Sequence, residues 1–227
     1  MPKIPQSPST DSGRIWQRMP ARFIPGTLAL PEEFMAAACL AKRVLDIGCG
    51  IGSAVDELPP ESFAAWVGVD INAAAIATAK RRSRPNTNFV VHDARKPLLD
   101  VGRFDLVLLK GILTCLPTHN EQLLVLRHAT MHMAKRRSLV IVDFLQNWDS
   151  PIYRRRYEAG LQAGLEKGTF FANDSAASGP AYFAHHFQYP ELIRLLTAAG
   201  LRLVCSRDVR VRTRSGNEIL GFVLIAE

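Results

Sequence analysis

The sequence predicts an α/β fold: a doubly wound, mostly parallel seven-stranded sheet with a C-terminal antiparallel hairpin and helices on both faces. Three patterns carry that expectation. Between Arg43 and Ser53 the apolar run of Val44, Leu45 and Ile47 is broken by Asp46 and followed by Gly48, Gly50 and Gly52, as in a buried parallel strand that ends in a tight turn. From residue 31 to 144 strand-like and helix-like segments alternate, as crossover units require. Near the C-terminus Leu201, Leu203, Cys205, Val209 and Val211 share one face of a strand, and a turn at Ser215 to Asn217 brings Ile219 to Ala226 back as its antiparallel partner.

Taken in order, residues 1 to 13 are rich in Pro, Ser and Thr and read as loosely held. Gly13 to Leu30 carries Ile15, Trp16, Met19, Phe23 and Ile24 between arginines, too apolar for a tail, so it packs against another part of the fold. Pro31 to Ala41 has a proline and two glutamates in its first turn, which favours a helix. The first strand and its glycine turn lead to a short helix, Ser53 to Leu58, ended by Pro59 and Pro60. Ala65 to Asp70 is the second strand, and Ala73 to Arg82 is an alanine-rich helix whose basic end complements its dipole. Asn88 to His92 is the third strand, Pro97 to Gly102 a loop, and Phe104 to Leu109 a fourth strand apolar enough to be buried on both faces. Asn120 to Ala134 places Leu123, Leu124, Leu126 and Met131 at helical spacings, and Ser138 to Phe144 is the fifth strand. The aromatic-rich stretch that follows reads as an insertion of one or two helices and loops before a helix, Pro190 to Ala199, that stops at Gly200. The chain thus divides into an N-terminal segment, 1–30, and one α/β domain, 31–227, with an insertion at about 145–188.

Composition bounds the function. A chain of 227 residues, 48% hydrophobic and 22% charged, buries a substantial core and is ordinary for a soluble protein. No run approaches the roughly 18 apolar residues of a membrane span. Met1 to Ser12 lacks the hydrophobic centre of a signal peptide, so a cytoplasmic location is expected. The four cysteines, at 39, 49, 115 and 205, have no metal-ligand spacing and are expected to be small buried hydrophobes. The net charge of +7 is spread over separate clusters, including Lys80 to Arg84 and Arg154 to Arg156, with no interleaved aromatics, so solvated faces are expected rather than a nucleic-acid surface.

A glycine-rich turn alone is a weak signal; the spacing to Asp70, at the end of the second strand, sharpens it. An acid there is placed to hold both hydroxyls of a ribose, or alternatively to cap the helix that starts near Asn72. At these residues the chain resembles the class I S-adenosylmethionine-dependent methyltransferases. Val-Leu-Asp-Ile-Gly-Cys-Gly-Ile-Gly at 44–52 is similar to their first motif, Gly-Val-Asp at 68–70 to their second, and His-Asp-Ala at 92–94 and Phe-Asp-Leu-Val-Leu-Leu-Lys at 104–110 to their third and fourth. The resemblance implies S-adenosylmethionine as cofactor. Asp46 and the turn Gly48, Cys49, Gly50 and Gly52 would lie against its methionine part, Asp70 with Ile71 at the ribose, Asp93 with Ala94 at the adenine, and Lys110 near the cofactor. It also implies that the leading segment covers the active site, the alternative being a helix that pads the edge of the core.

Methyl transfer from a sulfonium mainly requires the acceptor to be brought into line with the methyl carbon, and sometimes a base. His119, His185 and His186 are the candidates, with His185 and His186 ranked first because aromatic residues surround them. Lys110 at the end of a buried strand needs a partner or a route to solvent, and Asp143 caps a turn or binds the acceptor. Lys110-Gly111-Ile112-Leu113 stands where enzymes acting on exocyclic base amines carry Asn/Asp-Pro-Pro-aromatic, and Lys110 replaces an acid that metal-dependent catechol-type enzymes need, so no metal is expected. The expected activity is methylation of a small-molecule O or N acceptor. The alternatives are a methyltransferase acting on RNA or protein, or a non-catalytic cofactor-binding protein of the same fold.

Overall fold

The computed structural model describes residues 8–24, 28–59, 61–98, 101–172, 181–213 and 216–227. Residues 1–7 of the loosely held terminus, Pro60, 99–100 of the predicted loop, 173–180 of the insertion and Ser215 of the predicted turn lie outside the described residues.

Seven strands form one sheet in the order β3-β2-β1-β4-β5-β9-β8. They are β1 (Arg43–Ile47), β2 (Ala65–Asp70), β3 (Thr87–Val91), β4 (Phe104–Lys110), β5 (Met133–Phe144), β8 (Leu203–Arg212) and β9 (Glu218–Ala226). The first five are parallel, and β9 inserts antiparallel between β5 and β8. Helices α2 (Glu32–Ala38), α3 (Ser53–Asp56), α4 (Ala73–Arg81), α5 (His119–Met131) and α7 (Tyr189–Ala198) connect them. Strands β1 and β4, in the middle of the sheet, are buried on both faces, while edge strand β3 is partly exposed, so two apolar cores form on either side of the central strands. One holds Leu45, Leu109, Ile141 and Phe222, and the other holds Val44, Trp66, Leu108 and Phe34. That burial explains why their sequences read as continuous apolar runs.

Three expectations change. The N-terminal segment opens as helix α1 (Pro8–Arg18) rather than loose chain, because Trp16 and Met19 have something to pack on. The insertion contains helix α6 (Pro151–Gln162) and also a two-stranded antiparallel sheet, β6 (Thr169–Ala172) with β7 (Tyr182–His185). No local signal of four residues specifies such a pairing. Cys39 and Cys205 are exposed, not buried. A register shift between Leu203 and Cys205 on edge strand β8 places those two on opposite faces of the sheet, so the single face predicted for Leu203, Cys205, Val209 and Val211 is broken after Leu203.

Candidate active site

The carboxyl ends of β1, β2, β3 and β4 open onto one cleft, as expected for an open α/β sheet. Of the residues predicted to hold a cofactor, Gly48, Cys49, Gly50, Asp70, Ile71, Asp93, Ala94 and Lys110 line it. Asp46 and Gly52 stand behind the turn instead. A Cβ on Gly52 would meet Ala79 Cβ and Phe89 Cζ at 3.0 Å, so that glycine serves packing against α4.

The glycine turn is fixed from β2. The N–H groups of Gly48 and Cys49 both donate to Val69 O, at 2.8 and 3.0 Å. Gly48 has φ +77°, and a Cβ there would fall 2.5 Å from Ile112 Cδ1. Asp70 accepts from Gly50 N–H (2.9 Å) on Oδ2 and from Asn72 N–H (2.8 Å) on Oδ1, so the carboxylate ties two strand ends together. Each oxygen keeps a lone pair for a further donor. Helix α4 is capped by Asn72, whose Oδ1 accepts from Ala75 N–H, which removes the capping role left open for Asp70. Burial raises the Asp70 carboxyl, opposed by those two backbone hydrogen bonds.

Asp46 is 1% exposed and its Oδ2 has no partner among the described residues. Burial raises it from 3.8 to about 7, against the opposing charge of Lys110. Lys110 finds its partner in Glu57, with Nζ 3.1 Å from Oε1. A carboxyl raised on folding contributes stability that is present below its unfolded pKa and lost as pH climbs through about 7. Asp46→Asn should therefore gain little thermal stability at pH 4.5 and several degrees at pH 8, at roughly 2–4 °C per kcal/mol. Equal gains at the two pH values in a melting series would remove the assignment.

At the β3 end, Asp93 accepts from Arg95 on both oxygens: Nε on Oδ1 at 2.9 Å and Nη2 on Oδ2 at 2.8 Å. Burial alone would raise Asp93, but Arg95 holds it below the ordinary value. Arg95 also pairs with Glu121 at 2.8 Å. Neither Arg95 nor Glu121 stood out in the sequence, because nothing local joins residues on β3's loop and α5.

The far side of the cleft is aromatic. Phe144, Tyr153, Phe170, Tyr182 and Trp16 line it together with His186 and Arg156. His186 stacks on Phe144 (5.3 Å between centroids, 27°) and meets Phe170 edge-on (5.0 Å, 87°). Tyr157 Oη lies 2.8 Å from His186 Nδ1 and accepts Asn147 N–H at 3.1 Å. Among the described residues the buried hydroxyl has no acceptor other than Nδ1, so its proton is directed there, which assigns the ring hydrogen to Nε2. Burial lowers His186 to about 3, helped by nearby His185 and Arg156, so the ring is neutral. Nε2 has no partner among the described residues, which makes it a donor rather than the free base sought in the sequence. The Arg156 guanidinium lies over Tyr153 (5.1 Å) and Phe170 (5.6 Å). The cluster Arg154 to Arg156, read as a solvated face, thus divides. Tyr153, Arg156, Tyr157 and Gly160 recur at helical spacing on one side of α6, a signal that was available.

His185 does not reach the cleft. Neighbouring residues of a strand point to opposite sides, and its ring is fully buried with Nδ1 2.7 Å from Thr169 Oγ1 and Nε2 2.6 Å from Glu191 Oε1. Both nitrogens are engaged, so it is not placed to act on a substrate. His119 shares Glu191 and also lies outside the cleft. Asp143 is fully buried and accepts Thr114 N–H (3.1 Å) and Phe144 N–H (2.9 Å), so it holds the turn after β4.

The residues present fit an adenosyl sulfonium. Trp16 Nε1 and Thr114 Oγ1 are buried in the cleft wall without a hydrogen-bond partner among the described residues, groups that a polar ligand would satisfy. Asp70 and Asp93 line the cleft, where the hydroxyls of a ribose and the amino group of an adenine require acceptors. Helix α1 lies across the opening: Asn72 Nδ2 donates to Trp16 O (2.7 Å) and Met19 O (2.6 Å), and Ser12 Oγ donates to Cys115 O (2.8 Å). Among the described residues no helix is long and apolar enough to cross a membrane.

Comparison with known proteins agrees with this geometry. The family model of a methyltransferase domain matches residues 44–146. Among solved structures, an S-adenosylmethionine-dependent methyltransferase of Methanosarcina mazei is 31% identical, aligning 88% of this chain with 98% of its own at a TM-score of 0.79. Magnesium protoporphyrin IX methyltransferase of Synechocystis, solved with S-adenosylhomocysteine, is 18% identical over 90% of this chain and 75% of that one, TM-score 0.54. The N-methyltransferase NodS of Bradyrhizobium japonicum is 13% identical over 97% and 98%, TM-score 0.59; these two share the fold. No curated protein sequence matches significantly. The extent of the Methanosarcina match places the chain in the S-adenosylmethionine-dependent methyltransferases, with S-adenosylmethionine as its cofactor.

Proposed function

We propose that this enzyme methylates an O or N atom of a flat small molecule held between α1 and the insertion. The observation that carries the reading is the aromatic chamber around His186, which opens into the same cleft as the glycine turn. Walls of this kind enclose planar or apolar ligands, and a few polar groups orient them. Such a chamber would not admit a folded protein surface. Some of the exposed arginines face acids, as with Arg82 and Asp56, Arg202 and Glu227, or Arg207 and Glu33, which reduces the cationic surface offered to RNA.

When bound, the cofactor supplies the methyl group on a sulfonium, an electrophile that needs no further activation. Asp70 holds the ribose hydroxyls with its remaining lone pairs. Asp93 keeps one lone pair on Oδ2 for the adenine amino group while Arg95 fixes its orientation. Asp46, buried behind the turn, would have its negative charge favoured by the cationic methionine end of the cofactor. The Nε2–H of His186 donates to the acceptor, and the Arg156 charge favours an acidic hydroxyl on a flat ring as the atom methylated. Positioning of this kind accounts for most of what an in-line displacement requires. Helix α1 and the insertion exclude water above the reacting atoms.

The test is incubation with methyl-labelled S-adenosylmethionine and a cell extract, followed by mass spectrometry. Label in small aromatic metabolites supports the reading; label confined to RNA or protein overturns it, and no label with bound cofactor identifies a non-catalytic binder. With the acceptor in hand, His186→Ala should reduce turnover by about 10- to 100-fold, the range for a lost orienting hydrogen bond with a stacking wall, at unchanged cofactor affinity. Because the ring is already neutral, the wild-type rate should not titrate with a histidine step between pH 5 and 8.

A further inference from the structure

Outside the cleft, four side chains from four parts of the chain converge: His119 at the start of α5, Glu166 between α6 and β6, His185 at the end of β7, and Glu191 in the first turn of α7. The two imidazole Nε2 atoms each lie 2.6 Å from the same oxygen, Glu191 Oε1. The three donor atoms all fall within 4.8 Å of one another.

The tautomers follow from the surrounding hydrogen bonds. Thr169 Oγ1 donates its only hydrogen to Pro117 O (2.9 Å), so at 2.7 Å it accepts from His185 Nδ1–H. In the neutral ring the Nε2 atom of His185 is then a bare lone pair facing a carboxylate lone pair. Two lone pairs at that distance require a positive charge between them, either a proton or a metal ion. His119 is arranged the same way, with Nδ1 2.9 Å from Glu166 Oε2, an oxygen that also accepts the His119 N–H at 2.8 Å. A hydroxyl or carboxylate behind Nδ1, leaving Nε2 for the ion, is the outer-shell arrangement that metal-ligating histidines use. His185 is fully buried while the His119 side chain is 43% exposed, so the cluster is rigid on one side and open to solvent ligands on the other.

We propose that His119, His185 and Glu191 bind one divalent transition-metal ion, with Zn²⁺ the best match to two imidazoles and a carboxylate. Water on the His119 side completes four-coordination. Bond lengths of about 2.0–2.1 Å to each ligand require the present nitrogen–oxygen separations to widen by several tenths of an ångström as the ion replaces the shared protons. The site fastens β7, and therefore His186 beside it, to the N-terminal ends of α5 and α7. The metal is structural: none of its ligands lines the cleft. The sequence predicts no metal, on the ground that Lys110 replaces an acid at the rim of β4 and β5; a metal ion here departs from that expectation, at a different place in the fold.

The experiment is calorimetric titration of chelator-treated, tag-free full-length protein with Zn²⁺, beside His185→Gln and His119→Gln. One ion per wild-type chain, with affinity at least tenfold weaker in both variants, supports the site. So does a melting temperature that rises with Zn²⁺ in the wild type and is unmoved in the variants. His119→Gln, at a half-exposed position, keeps the test readable if the buried variant fails to fold. Co²⁺ should give the visible absorption of a four-coordinate N/O site. Absence of saturable binding, or equal affinity in His119→Gln, overturns the proposal and leaves a proton-bridged cluster.

Discussion

Asp70→Ala is expected to weaken binding of S-adenosylmethionine by about 10- to 150-fold, or 1.5–3 kcal/mol, the range for hydrogen bonds to a charged acceptor. Two effects act in one direction. The ribose hydroxyls lose their acceptor, and the N–H groups of Gly50 and Asn72 lose the carboxylate that holds the glycine turn against the end of β2. The second effect predicts that S-adenosylhomocysteine, which lacks the methyl and its positive charge, is weakened as much. Asp70→Asn retains one acceptor oxygen and should fall between. Calorimetry with both ligands decides it: an unchanged dissociation constant in Asp70→Ala would take the ribose away from this residue.

Gly160→Ala should separate the two halves of the active site. Replacing a glycine by alanine inside a helix ordinarily stabilises it, by up to about 1 kcal/mol. Here a Cβ would lie 2.1 Å from the backbone oxygen of Thr169, so α6 must move off β6. Overpacking of that kind costs about 1–3 kcal/mol, and more where the clash is with backbone, which corresponds to a fall in melting temperature of several degrees. Movement of α6 carries Tyr153, Arg156 and Tyr157 away from His186, so acceptor turnover should drop at least tenfold. The cofactor end, built on β1 and β2, keeps its affinity within about twofold. Gly164→Ala is the control: it has φ +75° but nothing within 4 Å, so it strains the backbone without displacing α6. Equal losses of cofactor affinity and turnover in Gly160→Ala would show that the insertion is not a separate wall.

The charge-bearing contacts divide along the same line. Asp70 is tied to neighbours close to its own strand, Gly50 and Asn72, and the spacing of motifs singles it out as a candidate from sequence alone. His186 depends on Tyr157 and Asn147, and the direction of one hydroxyl proton changes it from a base to a donor. No spacing rule carries that information.

What the sequence determined by itself is the parallel half of the sheet and the glycine turn at the end of β1. Continuous apolar runs make strands that must be buried on both faces, and glycines at 48 and 50 can be read because only a turn with φ > 0 and a close approach needs them there. Tertiary structure decided which of two adjacent side chains faces the cleft. It put His186 in the chamber and His185 against Glu191, set Asp46 and Gly52 behind the turn, and brought Arg156 inward from a basic cluster. It also paired β6 with β7 and joined His119 to Glu191 across 72 residues. Periodicity reports a residue's own element, whereas these outcomes depend on which distant element packs against it.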